Sequence, residues 1–313
     1  TVNLTAGGLA PGSGGSNGNG AYSFNGTSNY INTTSTTGLP TGSVMTVEAW
    51  INPAASQNDA SYNGIVAWGP RGCSGTSMLF SIQNNLRLSM ATWCNDLVPG
   101  TGPSVRANVW SHVACVVNGT SVSFYINGQL AQTGTLSAFN VTTGANQLTI
   151  GCTDVPGRYF NGSIDNVRIW SSARSQSDIQ ADMFKETPTS NVGSNLKAHY
   201  KLNGDATCTG NAALNATVNG ATAFVPTFYT YTWSGGTGSP SGTAEVQSTT
   251  AGTSPGQTYT VVASANGGCN SSGVSTTVAN YPTPSVSVSA SPVCLNSTVT
   301  LTATNGNGFN WYS

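Results

Sequence analysis

The chain has 313 residues and 19 charged side chains, 9 Lys+Arg against 10 Asp+Glu, for a formal net charge of −1. A charged fraction of 6%, against about 25% in an ordinary soluble domain, leaves no electrostatic footprint for DNA or RNA. No apolar run nears the ~20 residues of a membrane-spanning helix, and 38% hydrophobic residues with seven Trp are too many for a disordered chain.

Solubility must come from hydroxyls and amides, since Thr (42), Ser (39) and Asn (32) make up 113 residues. Residues 1–205 hold 18 of the 19 charges, and beyond them only Glu245 is charged. That shift marks an expected domain boundary near residue 205.

In chain order, strand signals dominate. Val44–Ile51 and Met78–Ile82 alternate, Asn84-Asn85 reads as a turn, and Leu86–Met90 follows. Trp110–Val117 runs into Asn118-Gly119 and Val122–Ile126 into Asn127-Gly128, each the signature of a hairpin. Leu148–Ile150 and Ile164–Trp170 add two strands. Ser175–Lys185 predicts one helix, with Ile179, Met183 and Phe184 on one face, acids early, and Asp178 and Asp182 on its solvated side. Short strands at regular spacing predict an all-β sandwich or jelly roll.

The seven cysteines form no CxxC pair, and the two histidines, His112 and His199, stand in no zinc-ligand spacing. Cysteines spread singly through a Thr-rich β chain read as disulfides of an exported protein; the alternative is buried free thiols in a cytosolic protein. Cys73 and Cys94 flank the Asn84-Asn85 turn almost symmetrically, so they can meet at the open end of that hairpin. Cys115 and Cys152 are then paired by exclusion.

Six segments occur in order: AYSFNGTSNYI (21–31), TVEAWI (46–51), WSHV (110–113), FYING (124–128), LTIG (148–151) and YFNGSIDNVRIW (159–170). Together they resemble the laminin-G-like, concanavalin-like jelly roll of bacterial surface proteins. The block FNGSIDNVRIW, followed by a short helix, is the most specific part. The opening strand usual in that family is missing, but LKAHYKLNGD (196–205) looks like it. This segment either returns as a closing edge strand of a domain spanning 1–205 or opens a second domain. Glu48, Asp165 and His112, at positions where the family carries such groups, are read as structural.

The tail repeats a pattern of Cys208, Trp233 and Cys269, a linker YPTP at 281–284, then Cys294 and Trp311. A Cys…Trp…Cys framework in short strands is what an immunoglobulin-like sandwich needs. The pattern resembles the tandem immunoglobulin-like repeats of large adhesins exported by the type IX secretion system. The resemblance implies an immunoglobulin-like domain over 206–281, a second repeat beginning over 284–313, and a Cys208–Cys269 bridge. Cys294 is then unpaired within this stretch of a longer protein.

No strand carries the carboxylate array of a glycosidase, and no GxSxG or HExxH is present, so the chain reads as non-enzymatic. Sugar binding needs aromatic faces together with amide, carboxylate and Arg hydrogen bonds. Three loops offer them: Trp68 and Arg71; Trp93, Asn95 and Asp96; and Asp154, Arg158 and Tyr159; for any one of these the alternative is a core Trp or a turn-forming Asp. The resemblance allows a Ca2+ ion at Asp96 and Asp154, though acids are too scarce for several ions. The expected role is that of an extracellular, cell-surface adhesin. Its jelly roll would bind polysaccharide or another surface ligand, and its repeats would form a stalk in attachment, biofilm formation or gliding. Export and surface-anchoring machinery would engage parts outside this stretch. The alternatives are a self-assembling fibre module and an accessory binding module of a secreted hydrolase.

Overall fold

The β-branched and aromatic runs become strands, and Asn and Gly make the turns between them. In the computed structural model, residues 2–5, 20–70, 72–73, 75–142, 147–153 and 157–224 are described, together with six strands further on. The chain divides into a unit of Gly8–Phe228 and a unit combining Thr1–Gly7 with Tyr229–Ser313.

Strand β1 (Val2–Thr5) belongs to the second unit. The first unit begins with β2 (Ala21–Asn25), β3 (Tyr30–Thr33), β4 (Val44–Pro53), β5 (Asn63–Trp68), β6 (Met78–Ile82) and β7 (Leu88–Ala91). Next come β8 (Ser111–Asn118), β9 (Ser121–Ile126), β10 (Gln129–Thr135), β11 (Thr149–Ile150) and β12 (Asn161–Trp170). Helix α1 (Gln176–Asp182) leads to β13 (Leu196–Tyr200), β14 (Ala216–Asn219) and β15 (Thr222–Phe224). One sheet has the order β10-β9-β8-β4-β12-β2-β15, with β13 also on β12; the other is β14-β3-β11-β5-β6-β7.

Alternation builds the core. Met45, Val47, Ala49 and Ile51 of β4 point between the sheets, as do Val66, Trp68, Met78 and Phe80 from the other sheet. The rings of Phe80 and Phe124 stack with centroids 6.3 Å apart. Full burial of each such side chain contributes roughly 1.5–3 kcal/mol.

The Asn127-Gly128 turn forms as expected, with both residues at positive φ (50° and 71°) and Ile126 paired to Gln129, the type I′ geometry that matches strand twist. At the preceding hairpin Asn118 remains in the strand and pairs with Ser121, so the turn centres on Gly119-Thr120. After β6, Leu86 takes φ 63° and β7 starts only at Leu88.

The SIDNV segment is a bulge. Pairing of β12 with β4 shifts between Asp165 and Arg168, and Asn166 has φ 48°, a conformation that Asn tolerates. The bulge also divides the far edge of β12, which pairs with β2 over Asn161–Ile164 and with β13 from Val167 on. Leu196–Tyr200 thus lies in this sheet.

Several expectations change. The charge shift at 205 is not the end of the sandwich, because β14 pairs with β3 and β15 with β2. These strands are edge segments rich in Thr and Ala, which need no charge. Residues 206–224 therefore belong to the first unit, not to an immunoglobulin-like one. Cys115 and Cys152 are not bridged; both are buried free thiols. Cys115 faces the intersheet core from β8, packing as a small apolar residue. Cys208 is also a buried free thiol, held in the sandwich by a bridge to Tyr200. Its expected partner Cys269, like Cys294 and Trp311, lies outside the described residues. The Cys73–Cys94 disulfide is present, with a Cα separation of 4.9 Å.

In the second unit, β16 (Tyr229–Ser234), β17 (Val246–Thr249), β18 (Gln257–Ala265), β19 (Val274–Val278), β20 (Ser285–Val288) and β21 (Leu301–Thr304) follow. Strands β16-β18-β19 form an antiparallel sheet, β1 pairs with β17, and β20 pairs with β21.

Candidate functional site

Two polar clusters flank the core. The first lies on the outer face of the longer sheet, beneath α1. Because β4 alternates, Thr46, Glu48 and Trp50 point away from the core toward the helix. Glu48 is completely buried, with Arg174 Nε 3.0 Å from one oxygen and Arg168 Nη1 3.8 Å from the other. Arg174 also reaches Asp182 at 2.7 Å and lies over the Trp170 ring at 3.8 Å.

The bulge residue Asn166 accepts from Arg168 Nε at 3.0 Å, and its Oδ1 lies 2.9 Å from His199 Nε2. Helix α1 begins with a capping box between Ser175 and Asp178, which satisfies two free amide donors. Ile179 packs on Ala114 and Val116. Asp182 is not solvated as its spacing suggested. It is buried and accepts from Lys185 Nζ, Thr189 N and Ser190 N as well as Arg174. Phe184, expected in the buried face, is 46% exposed.

Burial raises the Glu48 carboxyl above its ordinary range, against the pull of Arg168 and Arg174. Burial, reinforced by Arg168, brings His112 and His199 down to about 3, so both imidazoles are neutral at ordinary pH. Glu48 and Asp182 share the Arg174 guanidinium in this buried layer, and Arg168 lies beside Glu48. Glu48 pins the helix approach to the sheet through guanidiniums, where bonding to sheet backbone was expected; Asp165 accepts from the Asn166 amide at 2.8 Å and His112 packs edge-on to Trp50 within the sheet.

The second cluster is open to solvent on the outer face of the shorter sheet. Ala67, Leu79 and Ala91 from β5, β6 and β7 form a small apolar floor, on which Tyr62 and Trp93 pack. Asp59 shapes the approach to β5: its Oδ1 accepts from the amides of Ser61 and Tyr62, each at 2.9 Å. Its other oxygen lies 3.3 Å from Arg158 Nε.

Arg158 Cζ stands 4.6 Å from the Tyr62 ring centroid, and the Tyr62 hydroxyl donates to Asp96 at 2.8 Å. Partial burial and the Asp96 carboxylate push the Tyr62 hydroxyl up to about 12, so it remains a donor. Arg158 reaches this place because Gly64 lets Cys152, Thr153 and Arg158 come up against β5. A Cβ on Gly64 would lie 2.1 Å from the Cys152 carbonyl carbon, and the Gly64 amide donates to Arg158 O at 3.0 Å.

The loop after β7 is fixed from both sides. Cys94 is tied to Cys73. Asn95 Oδ1 accepts from Ser137 N at 2.8 Å and Ser137 Oγ at 2.7 Å, and its Nδ2 donates to Ala138 O. Asp96 Oδ1 accepts from Thr92 N at 3.0 Å. Trp93 takes φ 65° within this clamp.

Of the residues expected to bind, Trp93, Asp96 and Arg158 come together here. Tyr159 is adjacent and packs against Tyr30, with ring centroids 6.4 Å apart. Asn95 positions the loop instead of facing a ligand. Trp68 is a core residue, 3% exposed, whose indole donates to Pro40 O at 3.2 Å. Arg71 and Asp154 lie outside the described residues. Sequence reasoning missed Tyr62, Asp59 and Tyr30; the one signal for Asp59 and Tyr62 is the NDASYNG turn placed before a buried strand, and Tyr30, in its strand, has none. Among the described residues, no three His, Cys, Asp or Glu side chains gather as a metal site would require. No described helix is long and apolar enough to cross a membrane.

Residues 25–180 match the laminin-G-type model of the concanavalin A-like lectin/glucanases superfamily. No curated protein matches the chain closely enough to count as a relative. Among solved structures, a candidate carbohydrate-binding protein from Bacteroides ovatus is 22% identical with a TM-score of 0.51. That match covers 66% of this chain and 60% of the other, less than two thirds of its length. The heptameric SAP-like pentraxin of Limulus polyphemus is 13% identical with a TM-score of 0.45, over 66% of this chain and 95% of that one. Domain 4 of AbnA, a GH43 extracellular arabinanase from Geobacillus stearothermophilus, is 22% identical with a TM-score of 0.41, over 52% and 76%.

Proposed function

We propose that this concanavalin-like jelly-roll domain is a non-catalytic carbohydrate-binding module, and that its ligand rests on the Tyr62–Arg158–Asp96–Trp93 cluster. The observation that carries the reading is the Arg158 guanidinium stacked on Tyr62 while the Tyr62 hydroxyl donates to Asp96. Aromatic faces suit sugar C–H surfaces, and the fixed carboxylate and guanidinium offer hydrogen bonds to hydroxyls. The clamp on the 92–97 loop sets these groups before the ligand arrives, which lowers the ordering cost of binding. Asp59 and Asp96 are each engaged with neighbours inside the site. Glu48 is sealed under α1, so neither cluster offers a free acid–base pair for glycoside cleavage.

The setting is an extracellular, cell-surface adhesin exported by the type IX system, with the Thr- and Ser-rich C-terminal strands as stalk. The near absence of charge beyond residue 205 suits a stalk with no partner to steer. Binding of the whole chain to immobilised neutral polysaccharides tests the module reading. Loss of retention in Trp93→Ala and Tyr62→Ala, with unfolding temperature kept, is the expected result. Equal retention in both variants would overturn it. A reading frame that continues into a hydrolase domain would favour the accessory-module alternative over the adhesin.

A further inference from the structure

The outer face of the shorter sheet holds a second set of groups, beyond the primary cluster. Ile31 points into the core, so Tyr30 and Asn32 of β3 point outward, and both are half-buried. Tyr30 meets Tyr159, with centroids 6.4 Å apart and planes at 41°. Asn219 Nδ2 on β14 donates to Asn32 Oδ1 at 2.7 Å, and Asn32 Nδ2 donates to Gln147 Oε1. A ring pair beside a linked row of side-chain amides therefore occupies the β14–β3 end of the sheet.

This end is continuous with the primary cluster. Tyr159 directly follows Arg158, whose guanidinium lies over Tyr62, and Tyr62 shares its floor with Trp93. The line Tyr30, Tyr159, Arg158, Tyr62, Trp93 thus crosses the sheet from β3 to the residues just after β7. That is four strand spacings in the order β3-β11-β5-β6-β7, about 19 Å at ~4.8 Å each. Among the described residues, the far-end side chains Tyr30, Tyr159, Asn32, Asn219 and Gln147 are uncharged, and the primary cluster sets Asp59 and Asp96 against Arg158. A polyanion would meet two carboxylates and one guanidinium.

We propose that Tyr30, Tyr159, Asn32 and Asn219 form a second subsite, and that the face takes an internal stretch of a neutral linear polysaccharide, several sugar units long, in place of a single sugar. The proposal rests on the module reading above. Its length follows from the span of the aromatic line, and its neutrality from the charge along it. The amide row supplies donors and acceptors suited to uncharged hydroxyls.

The test uses oligosaccharides of one to eight units from xylan, mannan, β-glucan and arabinan, titrated into the whole chain by calorimetry. For the polymer that binds, affinity should rise at least tenfold between two and six units and then level off. Tyr30→Ala should remove most of that gain and leave disaccharide affinity unchanged. Tyr30→Leu, which keeps the apolar bulk, replaces it if Tyr30→Ala lowers the unfolding temperature.

Affinity independent of length, or a Tyr30 variant indistinguishable from wild type at six units, would overturn the second subsite while Trp93→Ala still tests the first. Absence of binding to all four polymers would remove the underlying reading and this one with it. Tighter binding of alginate, lost in high salt, would overturn the neutral-ligand claim.

Discussion

The Arg158 guanidinium lies over the Tyr62 ring, 4.6 Å from its centroid, and its Nε faces Asp59 at 3.3 Å. An exposed stack of this kind contributes about 0.5–1 kcal/mol, and an exposed ion pair about as little. Arg158 is 41% exposed, so its place in the fold does not require it.

Arg158→Ala should therefore cost little stability and much affinity. We expect the unfolding temperature to fall by only a few degrees, and binding of the neutral polysaccharide to weaken about tenfold. Thermal melts and calorimetry on the same sample check both. A large stability loss with unchanged affinity of the folded fraction would make Arg158 a structural residue.

Cys115, Cys152 and Cys208 should all be free. Alkylation in denaturant without reductant, followed by peptide mass spectrometry, should label all three and leave Cys73 and Cys94 unlabelled. In the folded protein the three should react slowly, since each is buried and burial pushes the Cys152 thiol up to about 12, keeping it protonated. The Cys73–Cys94 bridge closes a separation of 21 residues. Replacing both cysteines by Ser should destabilise the sandwich by about 3 kcal/mol. It should also weaken ligand binding, by loosening Trp93.

Arg174→Ala should be among the most damaging single changes in the sandwich. It leaves Glu48 and Asp182 buried without their shared cation, which costs roughly 3–5 kcal/mol. Chemical denaturation measures the loss. Glu48→Gln should leave polysaccharide affinity of the folded protein unchanged, because Glu48 lies under α1 on the sheet opposite the proposed site.

Acid should destabilise the sandwich through its two histidines. Their folded values, about 3 for each, lie below the ordinary value near 6.5. Below pH ~6.5 the unfolded chain takes up protons that the folded chain refuses, so stability is lost as pH falls toward 3. At pH 5 the loss is about 2 kcal/mol per histidine, from 1.36 kcal/mol per unit. Asp182, held near 2 by hydrogen bonds from Thr189, Ser190 and Arg174 against the effect of burial, extends the loss to lower pH. Glu48, raised by burial, works in the opposite direction and cannot cause it. Urea midpoints from pH 7 to 4 should fall, and His112→Gln with His199→Gln should flatten the slope.

The Asn127-Gly128 turn was legible because Asn-Gly tolerates two successive positive φ angles, whereas at Asn118-Gly119 strand pairing continued through Asn118 and moved the turn by one residue. The Cys73–Cys94 bridge was legible from its symmetry about one turn. Cys115 and Cys152 were not, because a thiol buried as a small apolar residue looks the same in sequence as half a disulfide. Asp182 was misplaced because helical spacing says which residues share a face, not what covers it. Its partners Thr189 and Ser190 come from a loop that folds back over the helix. The boundary at 205 misled because composition changes there while strand pairing does not. Trp93, Asp96 and Arg158 stand out by residue type and lie together in the structure, but Tyr62, which joins them, carries no spacing signal. Only the close approach at Gly64 brings Arg158 to it.

The most direct measurement is calorimetric titration of neutral polysaccharide into the wild-type chain and into Tyr62→Ala and Trp93→Ala. Saturable binding that weakens at least tenfold in each variant, with unfolding temperature preserved, is the expected result. Wild-type binding that survives both substitutions, or its absence for every neutral polymer, would contradict it.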